Sequence, residues 1–236
     1  MRDYLNKPGN YISCELKIDH LLHISRGLLN IHNAEKIHRD LHSGNILFDG
    51  TPYISDFGLC QPVDYEERLN LYGAIAYVAP EVLRKKKYTK AADIYSFGIL
   101  MNELLSEDPP YNNISYKQHE QQHYLMLDII RGSRPNFSEN TPELLKDLIA
   151  ECWHTEPKKR PTAKELYQRL NVWNKQKYEP SEIYSQIKAC EKVKKISTFP
   201  TKYSQEIHKS KSISKSISQL VASSSLQFDL GKIGKI

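Results

Sequence analysis

Between residues 89 and 106 the chain carries apolar groups on several sides of one helical pattern: Ala91, Ala92, Ile94, Phe97, Ile99, Leu100, Met101 and Leu104. A helix that is apolar over most of its circumference has no face to give to water, so other elements must enclose it. The flanking sequence supplies them. Ile18, Leu21, Leu22, Ile24, Leu28 and Ile31 recur at helical spacing and predict an amphipathic helix over 15–33. Further helices are expected near 121–132, 141–153 and 162–173. Pro142 would sit in a first turn behind Thr141, and Thr162 would cap the last helix after Pro161. Two short apolar runs, Ile46–Phe48 and Pro52–Ser55, flank Asp49-Gly50, which reads as a hairpin turn. The expected fold class is α+β, mainly α, with one small hairpin.

Composition bounds the rest. With 236 residues, 39% hydrophobic and 26% charged, the chain can bury a core. No run of about 18 apolar residues exists to span a membrane, and no signal-peptide pattern opens the chain. Cys14, Cys60, Cys152 and Cys190 are scattered and form no C-x-x-C pair, so reduced thiols and a cytoplasmic setting are expected. The net charge of +5 is uneven. Residues 171–236 hold 12 Lys against 5 acidic residues, a balance of +7, which leaves residues 1–170 at −2. Residues 196–225 are rich in Ser and Lys and are expected to be disordered. The chain thus divides into a folded part, 1–173, and a basic tail, 174–236, that is expected to lack order. No interleaved aromatics accompany the lysines, so no specific nucleic-acid partner is expected.

The chemistry concentrates in the hairpin region. Residues 38–47 read His-Arg-Asp-Leu-His-Ser-Gly-Asn-Ile-Leu; Asp56-Phe57-Gly58 begins eleven residues after Asn45, and Ala79-Pro80-Glu81 follows. Each triplet alone is common, but the three in this order and spacing are specific. Over residues 1–173 the chain resembles the protein kinase family, in its large lobe. The resemblance implies ATP- and Mg²⁺-dependent transfer of a phosphoryl group to a protein hydroxyl, in signal transduction. Such transfer relies on positioning and charge stabilisation more than on covalent chemistry. Asp40 is similar to the aspartate that orients the substrate hydroxyl and accepts its proton. Asn45 and Asp56 match the two Mg²⁺ ligands and, with Leu47 as the apolar floor under adenine, the ATP site. Phe57 and Gly58 complete the triplet whose packing separates active from inactive arrangements, and His38 opens the catalytic loop. Glu81 and Arg160 resemble the large lobe's buried ion pair. Asp93 resembles the helix aspartate that holds the catalytic-loop backbone.

The chain also departs from the family. The 37 residues before His38 hold two glycines, Gly9 and Gly27, with no Gly-x-Gly-x-x-Gly, and Lys7, Lys17 and Lys36 lie in no Val-Ala-Ile-Lys context. The chain is therefore expected to start just past the hinge, without the small lobe, and to be inactive by itself. His42 and Ala74 stand where Ser/Thr kinases usually have Lys and Thr. The tyrosine-kinase replacements are missing too, and Cys152-Trp153 resembles the tyrosine-kinase-like branch, so the acceptor residue stays open. Between Gly58 and Ala79 there is no Ser or Thr. Phosphorylation there by an upstream kinase would use Tyr65 or Tyr72, with Arg39 as the pairing group, or Asp64, Glu66 and Glu67 would stand in for a phosphate. Tyr77 matches the structural tyrosine before Ala-Pro-Glu.

Two readings compete. A non-catalytic binding or scaffold module would retain the lobe and present its surface and tail. His119-Glu120-Gln121-Gln122-His123 matches H-E-x-x-H, the helical zinc pattern, but lacks a third ligand at a recognised spacing. The run Arg84–Lys87 reads as a solvated basic loop.

Overall fold

The computed structural model describes residues 1–5, 12–63, 74–112 and 121–194. A short helix α1 (Arg2–Leu5) precedes α2 (Cys14–Asn33). Ser13 caps α2 through its hydroxyl, which accepts from Leu16 N–H. Residues Ile18, Leu21, Ile24 and Leu28 of α2 are all buried, at the helical spacing that the sequence carries. Four short strands follow: β1 (Lys36–Ile37), β2 (Ile46–Asp49), β3 (Thr51–Ile54) and β4 (Gln61–Pro62). β2 and β3 pair antiparallel, with Leu47 opposite Tyr53, about a turn at Gly50 whose φ of +73° suits glycine. A second antiparallel pair joins β1 to β4 and was not expected from the sequence. Two-residue strands carry too little periodicity to be read.

The remaining helices are α3 (Pro80–Leu83), α4 (Lys90–Ser106), α5 (Gln121–Arg131), α6 (Glu143–Cys152), α7 (Ala163–Gln176) and α8 (Glu182–Lys194). Helix α4 is the centre of the core: Ile94, Tyr95, Phe97, Ile99, Leu100, Met101 and Leu104 are almost fully enclosed. It packs against α6 on one side and α2 on another, while α7 covers α2. Gly98 makes the α4–α6 approach possible. A Cβ there would lie 2.7 Å from the Cβ of Cys152. Thr162 caps α7 in a reciprocal capping box with Glu165. Pro142 flanks α6 as its N-cap; it does not sit in the first turn, which begins at Glu143.

The mainly helical expectation holds, with small two-stranded sheets. Residues 174–194, expected to open the disordered tail, are instead largely helical and packed. Ile183 and Ile187 of α8 are buried, Gln186 accepts from Leu144 N–H at the start of α6, and Lys188 pairs with Glu15 of α2 at 2.9 Å. Two isoleucines at i and i+4 are one narrow stripe, too sparse to stand out in a lysine-rich background. Residues 195–236 lie outside the described residues. No helix among the described residues is long and apolar enough to cross a membrane, and all four cysteines carry free thiols.

Candidate active site

The site is built around one buried carboxylate. Asp93, in the first turn of α4, accepts from His38 N–H at 2.8 Å and from Arg39 N–H at 2.9 Å. Its Oδ2 also lies 3.0 Å from His32 Nε2, at the end of α2. The backbone needs this anchor because Arg39 has a φ of +71°, in the left-handed region that a non-glycine residue adopts at a cost its surroundings must offset. His38 is itself buried; its Nδ1 accepts from Asp40 N–H, and its Nε2 lies 3.2 Å from Ser55 O.

The turn so held delivers Asp40 and Asn45 to one place. Asp40 is only 6% exposed. Its Oδ2 accepts from Asn45 Nδ2 at 3.2 Å, and the same amide donates to Asp40 O at 2.9 Å. Asp40 Oδ1 is buried and has no hydrogen-bond partner among the described residues; His42 Nε2 lies 3.5 Å from it. The Asn45 amide nitrogen is thus committed to Asp40, which leaves its oxygen available as a ligand atom. Asn45 O accepts from Ser55 N–H at 2.8 Å and Ser55 Oγ at 2.9 Å, so the residue before Asp56 is tied to the residue after the turn.

Asp56 follows directly, with a φ of +60°, an exposed side chain, and Oδ1 accepting from Gly58 N–H at 3.2 Å. Phe57 is 54% exposed and meets the His38 ring edge-on at 5.5 Å. Leu47, on β2, turns an apolar side chain outward. The hairpin and the segment after it therefore present Leu47, Tyr53 and Phe57 as exposed apolar groups beside the polar turn.

Two further clusters brace this core. Arg160 forms a bidentate, buried pair with Glu81, both N···O distances 2.7 Å, and also donates to Ala91 O and His154 O. Arg39 places its guanidinium 4.8 Å over the Tyr88 ring. The second cluster is one that sequence reasoning passed over. Glu103, 1% exposed on α4, accepts from the Tyr77 hydroxyl and from Ser43 Oγ, the latter at 2.9 Å. It ties the turn that carries Ser43 to the segment before Ala79-Pro80-Glu81. A carboxylate inside an otherwise apolar helix was the available signal, since such a group must have partners. His32 carried no comparable signal.

Tyr65, Tyr72 and the acidic residues Asp64, Glu66 and Glu67 lie outside the described residues, as do His119 and Glu120. His123 is exposed on α5, and no cluster of three His, Cys, Asp or Glu suited to a metal ion occurs among the described residues.

Comparison with known proteins finds relatives named as protein kinases. The chain is 33% identical over 185 residues to a protein kinase and PP2C-like domain-containing protein of Arabidopsis thaliana, covering 64% of this chain and 28% of that protein. It is 32% identical over 180 residues to a protein of Acanthamoeba polyphaga mimivirus named as a serine/threonine-protein kinase/receptor, covering 75% of this chain and 11% of that one. A Dictyostelium discoideum protein named as a serine/threonine-protein kinase is 34% identical over 145 residues, covering 61% and 10%. The chain thus spans roughly a tenth to a quarter of the length of these relatives. Residues 1–172 match the family model of the protein kinase domain, and the chain belongs to the protein kinase family of phosphotransferases.

Proposed function

We propose that the chain is the large lobe of a protein kinase catalytic domain, serving phosphoryl transfer from ATP to a protein hydroxyl. The observation that carries the reading is the buried Asp40 carboxylate. One of its oxygens is tied to Asn45, and the other has no hydrogen-bond partner among the described residues. A carboxylate kept this way can orient a hydroxyl and take its proton as the new O–P bond forms and the bond to the leaving phosphate breaks. Asn45 and Asp56 would hold Mg²⁺. The donor set fits: an amide oxygen freed by its nitrogen's bond to Asp40, and an exposed carboxylate, both hard oxygen donors of the kind that Mg²⁺ shares with phosphate and water. When bound, the ion would neutralise phosphate charge. Leu47, outward on β2, offers an apolar surface for adenine. Residues 1–37 carry no Gly-x-Gly-x-x-Gly and no Val-Ala-Ile-Lys lysine, so in a preparation of residues 1–236 alone the phosphates would stay solvated and water would compete for their charge.

Two measurements on residues 1–236 test the reading. Mn²⁺, used as a paramagnetic stand-in, should broaden the amide signals of Asn45 and Asp56 in the intact chain, and Asp56→Asn should abolish the broadening. Absence of broadening at both residues would overturn the metal assignment and favour a scaffold. With radiolabelled ATP, the chain should transfer no more phosphate than its Asp40→Asn variant. Robust Asp40-dependent transfer would refute the claim that a covering lobe is needed.

A further inference from the structure

We propose that His42 is a positioning residue for Asp40, held in a single neutral tautomer by the Gly44 amide, and that residue 44 is glycine because the imidazole occupies its side-chain space. The inference rests on the reading of Asp40 as the proton acceptor.

The tautomer follows from the donor geometry. Gly44 N–H donates to His42 Nδ1 at 3.0 Å. An N–H donor requires a lone pair, so Nδ1 bears no proton and the neutral ring carries its hydrogen on Nε2. That nitrogen lies 3.5 Å from Asp40 Oδ1, the buried oxygen with no hydrogen-bond partner among the described residues. The separation is longer than an ordinary N–H···O bond, and closing by a few tenths of an ångström would make one, as catalytic contacts do when substrate arrives. Asn45 then holds one oxygen of Asp40 and His42 the other. A carboxylate oxygen accepts more than one hydrogen bond, so Oδ1 keeps a lone pair for the substrate hydroxyl.

The ring has little freedom to do otherwise. His42 is 5% exposed, and its ring lies 5.9 Å from that of Tyr77, whose hydroxyl is bonded to Glu103. The backbone of Gly44 also lies against the ring. A Cβ there would meet His42 Cε1 at 2.7 Å and Nδ1 at 2.8 Å, closer than side-chain atoms come. Any other residue at 44 must displace the imidazole. His42 and Gly44 therefore act as a unit, in a position where Ser/Thr kinases usually carry a lysine. A lysine there would bring a mobile positive charge. The buried imidazole brings a fixed neutral donor, and its partner is the carboxylate.

The test uses the full chain labelled with ¹⁵N in the histidine rings, which gives nine ring pairs; those of His42 are identified by their loss in His42→Gln. At neutral pH, without nucleotide or metal, His42 Nδ1 should resonate as an unprotonated nitrogen and Nε2 as a protonated one. Asp40→Asn should shift the His42 Nε2 signal, and Asp56→Asn should leave it in place. A ring protonated on Nδ1, a mixture of tautomers, or an Nε2 signal indifferent to Asp40→Asn would overturn the proposal. The wild-type spectrum needs no variant to fold. Gly44→Ala should lower the melting temperature of the wild-type chain and leave that of His42→Lys unchanged; an equal fall in both would refute the pairing of 42 with 44. Because no metal is present, these results stand or fall separately from the Mn²⁺ broadening that tests the phosphotransfer reading.

Discussion

His20 shows how one residue carries a pH dependence into the fold. Its ring is buried on α2, edge-on to Phe48 at 5.0 Å and to Tyr4 at 5.7 Å, while Tyr4 and Phe48 stack on each other at 4.3 Å. Burial disfavours the imidazolium and outweighs the attraction of Asp19, so the ring's pKa falls from 6.5 to about 4. The folded value is the depressed one. The neutral ring's contribution is thus complete above the unfolded pKa and is lost as the pH falls from about 6.5 towards 4. At roughly 1.4 kcal/mol per unit, the loss reaches up to about 3 kcal/mol. Urea unfolding at pH 7 and pH 4.5 should show wild-type stability falling more steeply than that of His20→Phe; equal falls would contradict the assignment. At this scale much of the site was legible. Asp40, Asn45 and Asp56 stand in a local order that survives without any structure. His42 was legible only as a departure from a family pattern, because its role lies in the direction of two ring nitrogens, and direction is not written in sequence.

Among the elements, α4 illustrates a packing decision made by one missing side chain. Its apolar circumference required enclosure, and the periodicity said so. That α6 would be the enclosing neighbour, close enough to leave no room for a methyl at Gly98, depends on where both helices end up. Gly98→Ala would press a Cβ against Cys152 Cβ and the Trp153 backbone nitrogen, so the helices must part. The gain in helix propensity, about 1 kcal/mol, offsets part of the overpacking cost of about 1–3 kcal/mol. The net expectation is destabilisation by about 1 kcal/mol, read as a lower denaturation midpoint; a stabilised variant would show that the helices separate freely. Helix α8 makes the opposite point. Its composition reads as tail, and only the seat offered by α2 and α6 makes its two isoleucines a core stripe.

For the whole molecule, Arg160 and Glu81 show what distance along the chain conceals. They lie 79 positions apart, yet form a buried bidentate pair that joins the segment after Ala79-Pro80 to the turn before α7. Burying both charges costs solvation, and their mutual geometry is what recovers it. Arg160→Ala would leave Glu81 buried and uncompensated, an expected loss of about 3–5 kcal/mol in urea unfolding. The double variant Arg160→Met with Glu81→Leu should recover most of it; an unchanged single variant would deny the pair its bracing role. Sequence by itself determined that α2 and α4 to α7 are helical, that α4 must be interior, and which polar residues stand in kinase order. These follow from periodicity, capping and spacing, all local properties. Tertiary structure decided the rest: that Glu103 receives Ser43 and Tyr77, that Asp93 holds the backbone of His38 and Arg39, that α8 packs, and that His42 faces Asp40. Each of these depends on burial, which turns an ordinary polar side chain into one that must find a partner, and burial is set only when the whole chain has closed around α4.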